Sequence, residues 1–271
     1  MITQGVFQAY ENASPLRAIN PAVKMLISSG VMLFLSVVFD HSTLLGIIAI
    51  GITLLLPVGR IPGRVIARAL VPFVLFGIGF LWMNALLPRT SGTVLFSLGP
   101  LSVSREGAQN GVSFFLRAIG FGVWSLLFVA TTHPTSFILS LVHQLRVPPR
   151  IAFSALAAYR YLPSLQIELA QIRGAHQLRG LGEVGGIQGK IQRAYRYTIP
   201  LLAGALRRAT RVSAAMEARA FNGRNRTWYR REQLHWQDLF YAVGVVVTVG
   251  LVIWWSSTTG TLQLWSGRLW E

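Results

Sequence analysis

Two arginines at equivalent positions of a repeated pattern are the residues of this chain best suited to bind a specific charged partner. Arg179 lies in the stretch AHQLRGL (175–181), and Arg219 lies 40 positions later in AMEARAF (215–221). Both stretches read A-x-x-x-R-[G/A]-[L/F], and a Tyr-Arg-Tyr and a proline precede each of them. A guanidinium is always charged and can bind a carboxylate through two parallel hydrogen bonds. The repeat therefore predicts two equivalent cationic groups that face two equivalent acidic sites.

A second interpretation of these arginines is purely structural. An arginine in the last turn of a helix interacts favourably with the helix dipole, and a following glycine suits the C-terminal cap. Gly180 follows the first arginine, and Asn222-Gly223 follows the second. The residues alone leave both interpretations open.

Two amphipathic helices are predicted to position the arginines, because apolar residues recur at helical spacing ahead of each one. Those of the first helix are Leu162, Leu165, Leu169 and Ile172, and those of the second are Leu202, Ala205, Ala209, Val212 and Met216. Arg207, Arg208 and Arg211 lie off the second stripe, so that helix also has a cationic face. A shorter helix is predicted from Pro134 to Leu145, ahead of both.

Most of the remaining chain is apolar enough to cross a membrane. Of its 271 residues, 52% are hydrophobic and 13% are charged, whereas an ordinary soluble domain has about 25% charged residues. A span needs about 20 apolar residues, and the candidate windows are 22–39, 43–59, 69–88, 108–131 and 239–256. We therefore predict an all-α, polytopic membrane protein with about five transmembrane helices, two long amphipathic cytoplasmic helices and a short helix before them.

The distribution of basic residues predicts the orientation, because short basic loops stay on the cytoplasmic side. Arg17 and Lys24 flank the first span, and Arg60, Arg64 and Arg68 fill the connection between the second and third spans. The N-terminus is then inside and the C-terminus outside. The predicted divisions are a bundle of four spans (1–131), a cytoplasmic region of helices (132–235) and a C-terminal span with a short tail (236–271).

The net charge of +16 is concentrated in one part of the predicted cytoplasmic region. Residues 146–231 include 16 basic residues and 3 acidic ones, which gives +13. The charge therefore belongs to the segment that contains the two amphipathic helices and their arginines.

The residue types needed for catalysis or for holding a cofactor do not form a recognisable pattern. The chain has no cysteine, its five histidines lack the i,i+4 spacing of a metal site, and its acidic residues form no close pair. The stretch 182–191 resembles a phosphate-binding loop, but Val184 replaces the required glycine and Ile191 replaces the Ser or Thr. We expect no catalytic residue, no metal site and no cofactor in this chain.

At these residues the sequence resembles the transmembrane scaffold, or T component, of energy-coupling factor (ECF) transporters. Ser14-Pro15-Leu16 followed by Asn20-Pro21-Ala22-Val23-Lys24 is similar to the family's S-P-L-x-x-x-[D/N]-P-x-x-K opening. The segments 161–180 and 199–221 are similar to its paired coupling helices, which end in X-Arg-X. The usual triplet is Ala-Arg-Gly, whereas this chain has Leu178-Arg179-Gly180 and Ala218-Arg219-Ala220. Both arginines are retained.

The resemblance implies a non-catalytic subunit of an importer of vitamins or transition-metal ions. Arg179 and Arg219 would each enter a groove of one of two ATP-binding-cassette ATPase subunits, which bind the ATP. The apolar faces of the coupling helices would hold a membrane-embedded substrate-binding (S) subunit. Arg117, inside the fourth span, either snorkels or pairs within the bundle, or it contacts that subunit.

Two other functions remain as alternatives. One is a membrane-bound enzyme acting on anionic, lipid-linked substrates, whose phosphates the arginines would bind. The other is a nucleic-acid-binding membrane protein, which would use the basic residues of 224–231 around Trp228 and Tyr229. Because that patch directly precedes a span, anionic lipids are a sufficient partner for it, at about 1 kcal/mol per basic residue. We therefore expect no nucleic-acid partner.

Overall fold

The computed structural model describes residues 14–86, 94–98, 101–180, 186–219 and 232–260. The helices in this part of the chain are α1 (Pro15–Ala18), α2 (Pro21–Val37), α3 (His41–Thr53), α4 (Gly63–Leu86), α5 (Arg105–Thr131), α6 (Pro134–Gln144), α7 (Pro149–Leu178), α8 (Gly186–Ala218) and α9 (Trp236–Thr258). Helix α3 continues into a π-helical turn, Leu54–Val58, that contains Pro57. The predicted all-α membrane fold is confirmed.

A short antiparallel hairpin is the one β element among the described residues. Strand β1 (Val94–Leu98) pairs with β2 (Leu101–Ser104), with Leu98 opposite Leu101 and Val94 opposite Ser104. This stretch connects two of the predicted spans, and the sequence pattern does not indicate a hairpin there.

Four helical stretches within the described residues are long and apolar enough to span a membrane. They are His41–Val58, Gly63–Asn84, Gly107–Thr131 and Trp236–Thr258. The apolar helix Pro21–Val37 is shorter, with 17 residues, which is near the lower limit of about 17 for a span. These five helices occupy the five predicted windows, as expected of a multi-pass membrane protein.

The chain divides into two compact units, a bundle of residues 1–140 and 232–271 and a coupling unit of residues 141–231. In the bundle, α5 packs against α2, α3 and α4. Trp124 is fully buried there with Leu35 and Leu44, and its indole N–H donates to the carbonyl oxygen of Ile47 at 3.3 Å. Hydrogen bonding of the indole suits a tryptophan in a fully apolar environment.

Glycines allow the helices of the bundle to approach closely. A Cβ atom at Gly51 would lie 2.5 Å from Val123 Cγ1, and one at Gly122 would lie 2.7 Å from the ring of Phe73. Small residues at helix interfaces are the usual means of close packing in membranes, where van der Waals contact replaces the hydrophobic effect. These glycines therefore determine how closely α5 packs against its neighbours.

Candidate functional site: two exposed helix ends

Helix α7 presents the first predicted coupling motif at its C-terminal end. Leu178 is the last helical residue and is 92% exposed. Arg179 follows as the exposed C-cap, and its backbone N–H donates to the carbonyl oxygen of Ala175 at 3.3 Å. Gly180 has a φ of +70°, a conformation that glycine adopts without strain, and its N–H donates to Gln177. The glycine thus ends the helix directly after the arginine.

Helix α8 presents the second motif in the same position. Ala218 is its last residue, and Arg219 follows, exposed, with its N–H donating to the carbonyl oxygen of Met216 at 3.2 Å. Ala220, the last residue of the predicted motif, lies outside the described residues. Neither arginine side chain has an ion-pair partner among the residues that the structure describes. Both guanidinium groups therefore stand at helix C-termini, where a partner can reach them.

The two helices pack against each other in antiparallel directions. The guanidinium of Arg208 lies 5.6 Å from the ring centroid of Tyr161, and the rings of His176 and Tyr197 are 5.5 Å apart. Later residues of α7 thus meet earlier residues of α8. Arg179 and Arg219 consequently lie beyond opposite ends of the contact between the helices.

The apolar faces of the helices are only partly covered within the coupling unit. Leu165, Leu169 and Ile172 of the predicted α7 stripe are half-buried, whereas Leu162 is 53% exposed. Helix α8 has a row of exposed apolar residues at helical spacing: Ile187, Ile191, Tyr195, Ile199, Leu202 and Leu206. Such a row leaves α8 with an apolar face on which another protein could pack.

Arg117 is enclosed by the bundle. Its Nε donates to the carbonyl oxygen of Leu35 at 2.9 Å, and its Nη2 donates to that of Val38 at 2.8 Å. The guanidinium also lies 4.5 Å from the ring centroid of Phe39 and 5.0 Å from that of Phe114. Since only 8% of the residue is exposed, this arrangement favours pairing within the bundle over contact with another subunit.

Lys24 has a structural role in the bundle. The charge pattern places it among the basic residues that flank the first span on the cytoplasmic side, but it is fully buried. Its Nζ donates to the carbonyl oxygens of Leu16 and Thr131, each at 2.9 Å. The signal was present in the sequence, because Lys24 lies inside an apolar helix and a charge there usually has partners in the protein.

A second polar contact, made by Asp238, joins the N-terminal and C-terminal helices of the bundle. The backbone N–H of Asn20 donates to Asp238 Oδ1 at 2.6 Å, and that of His235 donates to Asp238 Oδ2 at 2.8 Å. One carboxylate thus caps the start of α9 and holds the start of α2. No sequence motif indicates this role for Asp238.

Some predicted features lie outside the described residues. They are the basic patch 224–231 and most of the glycine-rich stretch between the long helices, residues 181–185.

Fold and exposed helix ends together define a multi-pass membrane protein with a pair of helices suited to docking. Residues 12–229 match the CbiQ family, described as a cobalt transport protein. The match covers most of the chain, and the protein therefore belongs to this family.

Individual relatives agree with this assignment. The chain is 30% identical to an energy-coupling factor transporter transmembrane protein of Thermosediminibacter oceani, over 86% of this chain and 91% of that protein. It is 34% identical to one of Listeria monocytogenes, over 62% of this chain and 67% of that protein. It is also 28% identical to a putative ABC transporter ATP-binding protein of Bifidobacterium longum, over 89% of this chain but only 32% of that protein.

These matches confirm the predicted family. The chain is a transmembrane, energy-coupling component of the ECF transporter type, and it is a non-catalytic transport subunit rather than an enzyme.

Proposed function

We propose that this chain transmits the movement of two ATP-binding-cassette ATPase subunits to a membrane-embedded substrate-binding subunit that imports a vitamin or a transition-metal ion. Arg179 and Arg219 are the two points of attachment to the ATPases, within the motifs Leu178-Arg179-Gly180 and Ala218-Arg219-Ala220. The observation that carries the proposal is the pair of exposed arginines, each directly after the last residue of a long helix.

The separation of the two arginines suits a partner with two equivalent sites. Arg179 lies roughly 16 Å beyond Glu168 along α7, and Arg219 lies roughly 22 Å beyond Gly204 along α8, at 1.5 Å per residue. Because the helices run in opposite directions through this contact, the arginines are at most about 40 Å apart. Two ATPase subunits side by side could each receive one helix end.

The chemistry of attachment is a charge-assisted hydrogen bond. A guanidinium that enters an acidic groove can bind a carboxylate with two N–H groups and keeps its charge when water is displaced. The glycine after Arg179 ends the helix, so the arginine and the exposed Leu178 form a compact tip. Such a tip could remain docked while the ATPases close and open.

The remaining partners follow from the other surfaces. The exposed apolar face of α8 is suited to the substrate-binding subunit, while its exposed Arg211 is suited to anionic lipid headgroups. The chain needs no cofactor of its own, because ATP binds to the partner subunits. The similarity to a protein named for ATP binding, most of which lies outside the match, supports an association between such a scaffold and an ATPase.

Co-purification after reversal of both charges tests this proposal. In Arg179→Glu/Arg219→Glu, carboxylates replace the cations and would repel an acidic groove, so the ATPase subunits should no longer co-purify in mild detergent. The chain itself should still insert into the membrane. Retention of the ATPases at the native level would refute the proposal.

A matched control uses positions away from the ends of the same helices. Arg160 and Arg207 are exposed within α7 and α8, and Arg160→Glu/Arg207→Glu makes the same change in net charge. The ATPases should remain bound to this variant. Equal loss in both double variants would mean that overall charge, rather than the helix ends, determines the association.

A further inference from the structure

An ion pair joins α7 and α8 within the coupling unit. A guanidinium nitrogen of Arg208, Nη2, lies 2.8 Å from Glu168 Oε2, and the two side chains are 26% and 25% exposed. The pair is thus partly shielded from water. Charge interactions in such a position are screened less than those at an open surface. It is the one ion pair that the structure shows among the described residues of this unit.

The same arginine contacts a second residue of α7. Its guanidinium lies over the ring of Tyr161 at 5.6 Å from the centroid, within the range of a cation–π interaction. Tyr161 and Glu168 are separated by about two helical turns, so they lie on one face of α7. Arg208 therefore contacts two points along this face, and a shift of either helix along the other would separate it from both.

Gly204 lies beside the ion pair, against the side chain of Glu168. It is buried, and a Cβ atom at this position would collide with Glu168 Oε1. Glycine is otherwise unfavourable inside a helix, and here it provides the space for the carboxylate. A Cβ atom at this position would force the carboxylate of Glu168 to move.

The composition of the segment makes this contact selective. The described part of 146–231 contains two acidic residues, Glu168 and Glu217, among many basic ones. Glu217 is exposed, near the end of α8. Glu168 is therefore the acidic residue placed to attract one particular arginine of the opposite helix.

We propose that Glu168, Arg208, Tyr161 and Gly204 form a register lock, which fixes the position at which α7 and α8 pack against each other. With the lock intact, the two helix ends that carry Arg179 and Arg219 move as parts of one rigid body when the ATPases close. Slippage by one helical turn would displace one end by about 5.4 Å and absorb the movement. Glu168 and Arg208 are then positioning residues that act through the distant arginines, an inference that rests on the proposed function.

Spin labels near the two helix ends can measure this register. Because the chain has no cysteine, Gln177→Cys and Ala214→Cys, both at exposed positions, would carry the only labels on this subunit. The experiment uses the complex with its ATPases, purified in mild detergent, before and after addition of a non-hydrolysable ATP analogue. The distance distribution is recorded for the native pair of charges, for Glu168→Gln, for Arg208→Glu and for the exchanged pair Glu168→Arg/Arg208→Glu.

The expected result for the native complex is a narrow distribution whose mean distance stays the same when nucleotide is added, because both helix ends belong to one rigid body. Glu168→Gln and Arg208→Glu should broaden it by several ångströms and make the mean distance change with nucleotide. The exchanged pair, which retains the ion pair but not the contact with Tyr161, should recover part of the narrow width and of the constant distance, which a general loss of stability would not do. Gly204→Ala should broaden the distribution with all charges retained.

Arg207→Glu is the control, because this neighbouring arginine is exposed and undergoes the same change of charge as Arg208→Glu. Its distribution should match the native one. Unchanged distributions in Glu168→Gln and Arg208→Glu would overturn the register lock, as would an exchanged pair that stays as broad as Arg208→Glu. ATPase binding is also recorded in each preparation. If the unlabelled native complex fails to retain its ATPases, that result would refute the proposed function rather than the register lock.

Discussion

Lys24 and Thr131, 107 positions apart, are joined by a hydrogen bond of 2.9 Å from the lysine Nζ to the threonine carbonyl oxygen. The same Nζ donates to the carbonyl oxygen of Leu16 at 2.9 Å. Thr131 is the last residue of α5, just before the turn that leads to α6. One buried cation thus joins the start of the bundle to the point where the chain leaves its central helix.

Removal of this cation should destabilise the bundle. In Lys24→Met the methionine side chain fills most of the space of the lysine's methylene stem, but two buried carbonyl groups lose their hydrogen-bond donor. Each unsatisfied group costs about 1–3 kcal/mol of stability. We expect a lower midpoint of thermal unfolding in detergent. Lys190→Met is the matched control, because Lys190 is exposed on α8, and its midpoint should stay near that of the native protein.

Close packing at Gly51 gives a second prediction. Gly51→Ala places a methyl group 2.5 Å from Val123 Cγ1 and 3.4 Å from Trp124 Nε1, so α3 and α5 must move apart. The expected cost is about 1–3 kcal/mol, typical of an overpacked core. Gly79→Ala is the control, since no atom lies within 4 Å of a Cβ there. Equal unfolding midpoints for the two variants would contradict the proposed role of Gly51.

These two sites illustrate which parts of the structure the sequence could predict. The spans were predictable because a run of apolar residues is a local property, and the five windows coincide with five helices. The partners of Lys24 were not, since nothing local to position 24 indicates that Thr131 lies beside it. The local sequence of Gly51 is likewise that of any glycine in an apolar helix, and its close approach to Val123 is visible only in the structure.

Some features of the candidate site were likewise predictable from the sequence, and others were not. The ends of α7 and α8 were predictable from the repeated arginine pattern and from Gly180, because helix termination depends on neighbouring residues. The Glu168–Arg208 pair was not predicted, since it depends on the antiparallel packing of two helices. The hairpin of β1 and β2 was missed because it lies in a stretch considered only as a connection between spans.

A pH-dependent prediction concerns Asp40, which lies between α2 and α3. Burial by itself would raise the pKa of this carboxyl, but hydrogen bonds from Ser42, Thr43 and Ser256 outweigh that effect. They lower its pKa from 3.8 to about 2. The unfolded chain therefore binds the proton more readily than the folded one. Its stabilising contribution is complete above about pH 4 and is lost as the pH falls towards about 2.

The measurement is the unfolding midpoint of the detergent-solubilised protein across this acidic range. Asp40→Asn removes the titrating group, so the variant should be less stable than the native protein at neutral pH. The difference between the two should shrink as the pH falls below about 4. A difference that stays constant down to the lowest pH would mean that the hydrogen bonds of Asp40 do not depend on its charge.

The predicted orientation can be tested with single introduced cysteines, because the chain has none of its own. Pro62 is exposed in the connection between α3 and α4, near Arg60, Arg64 and Arg68, whereas Thr259 is exposed just beyond α9. Because basic loops remain on the cytoplasmic side, Pro62→Cys should react with a membrane-impermeant thiol reagent only after cells are permeabilised. Thr259→Cys should react in intact cells.

The unsubstituted chain, which has no thiol, provides the background for both measurements. An additional label at Ala214→Cys, on α8, determines the side on which the coupling unit lies and should behave like Pro62→Cys. Labelling of Ala214→Cys in intact cells would place the arginine motifs away from cytoplasmic ATP and would exclude the proposed attachment to ATPase subunits. The distribution of basic residues requires one pattern of labelling in intact cells. The thiol reagent should react with Thr259→Cys and leave both Ala214→Cys and Pro62→Cys unlabelled.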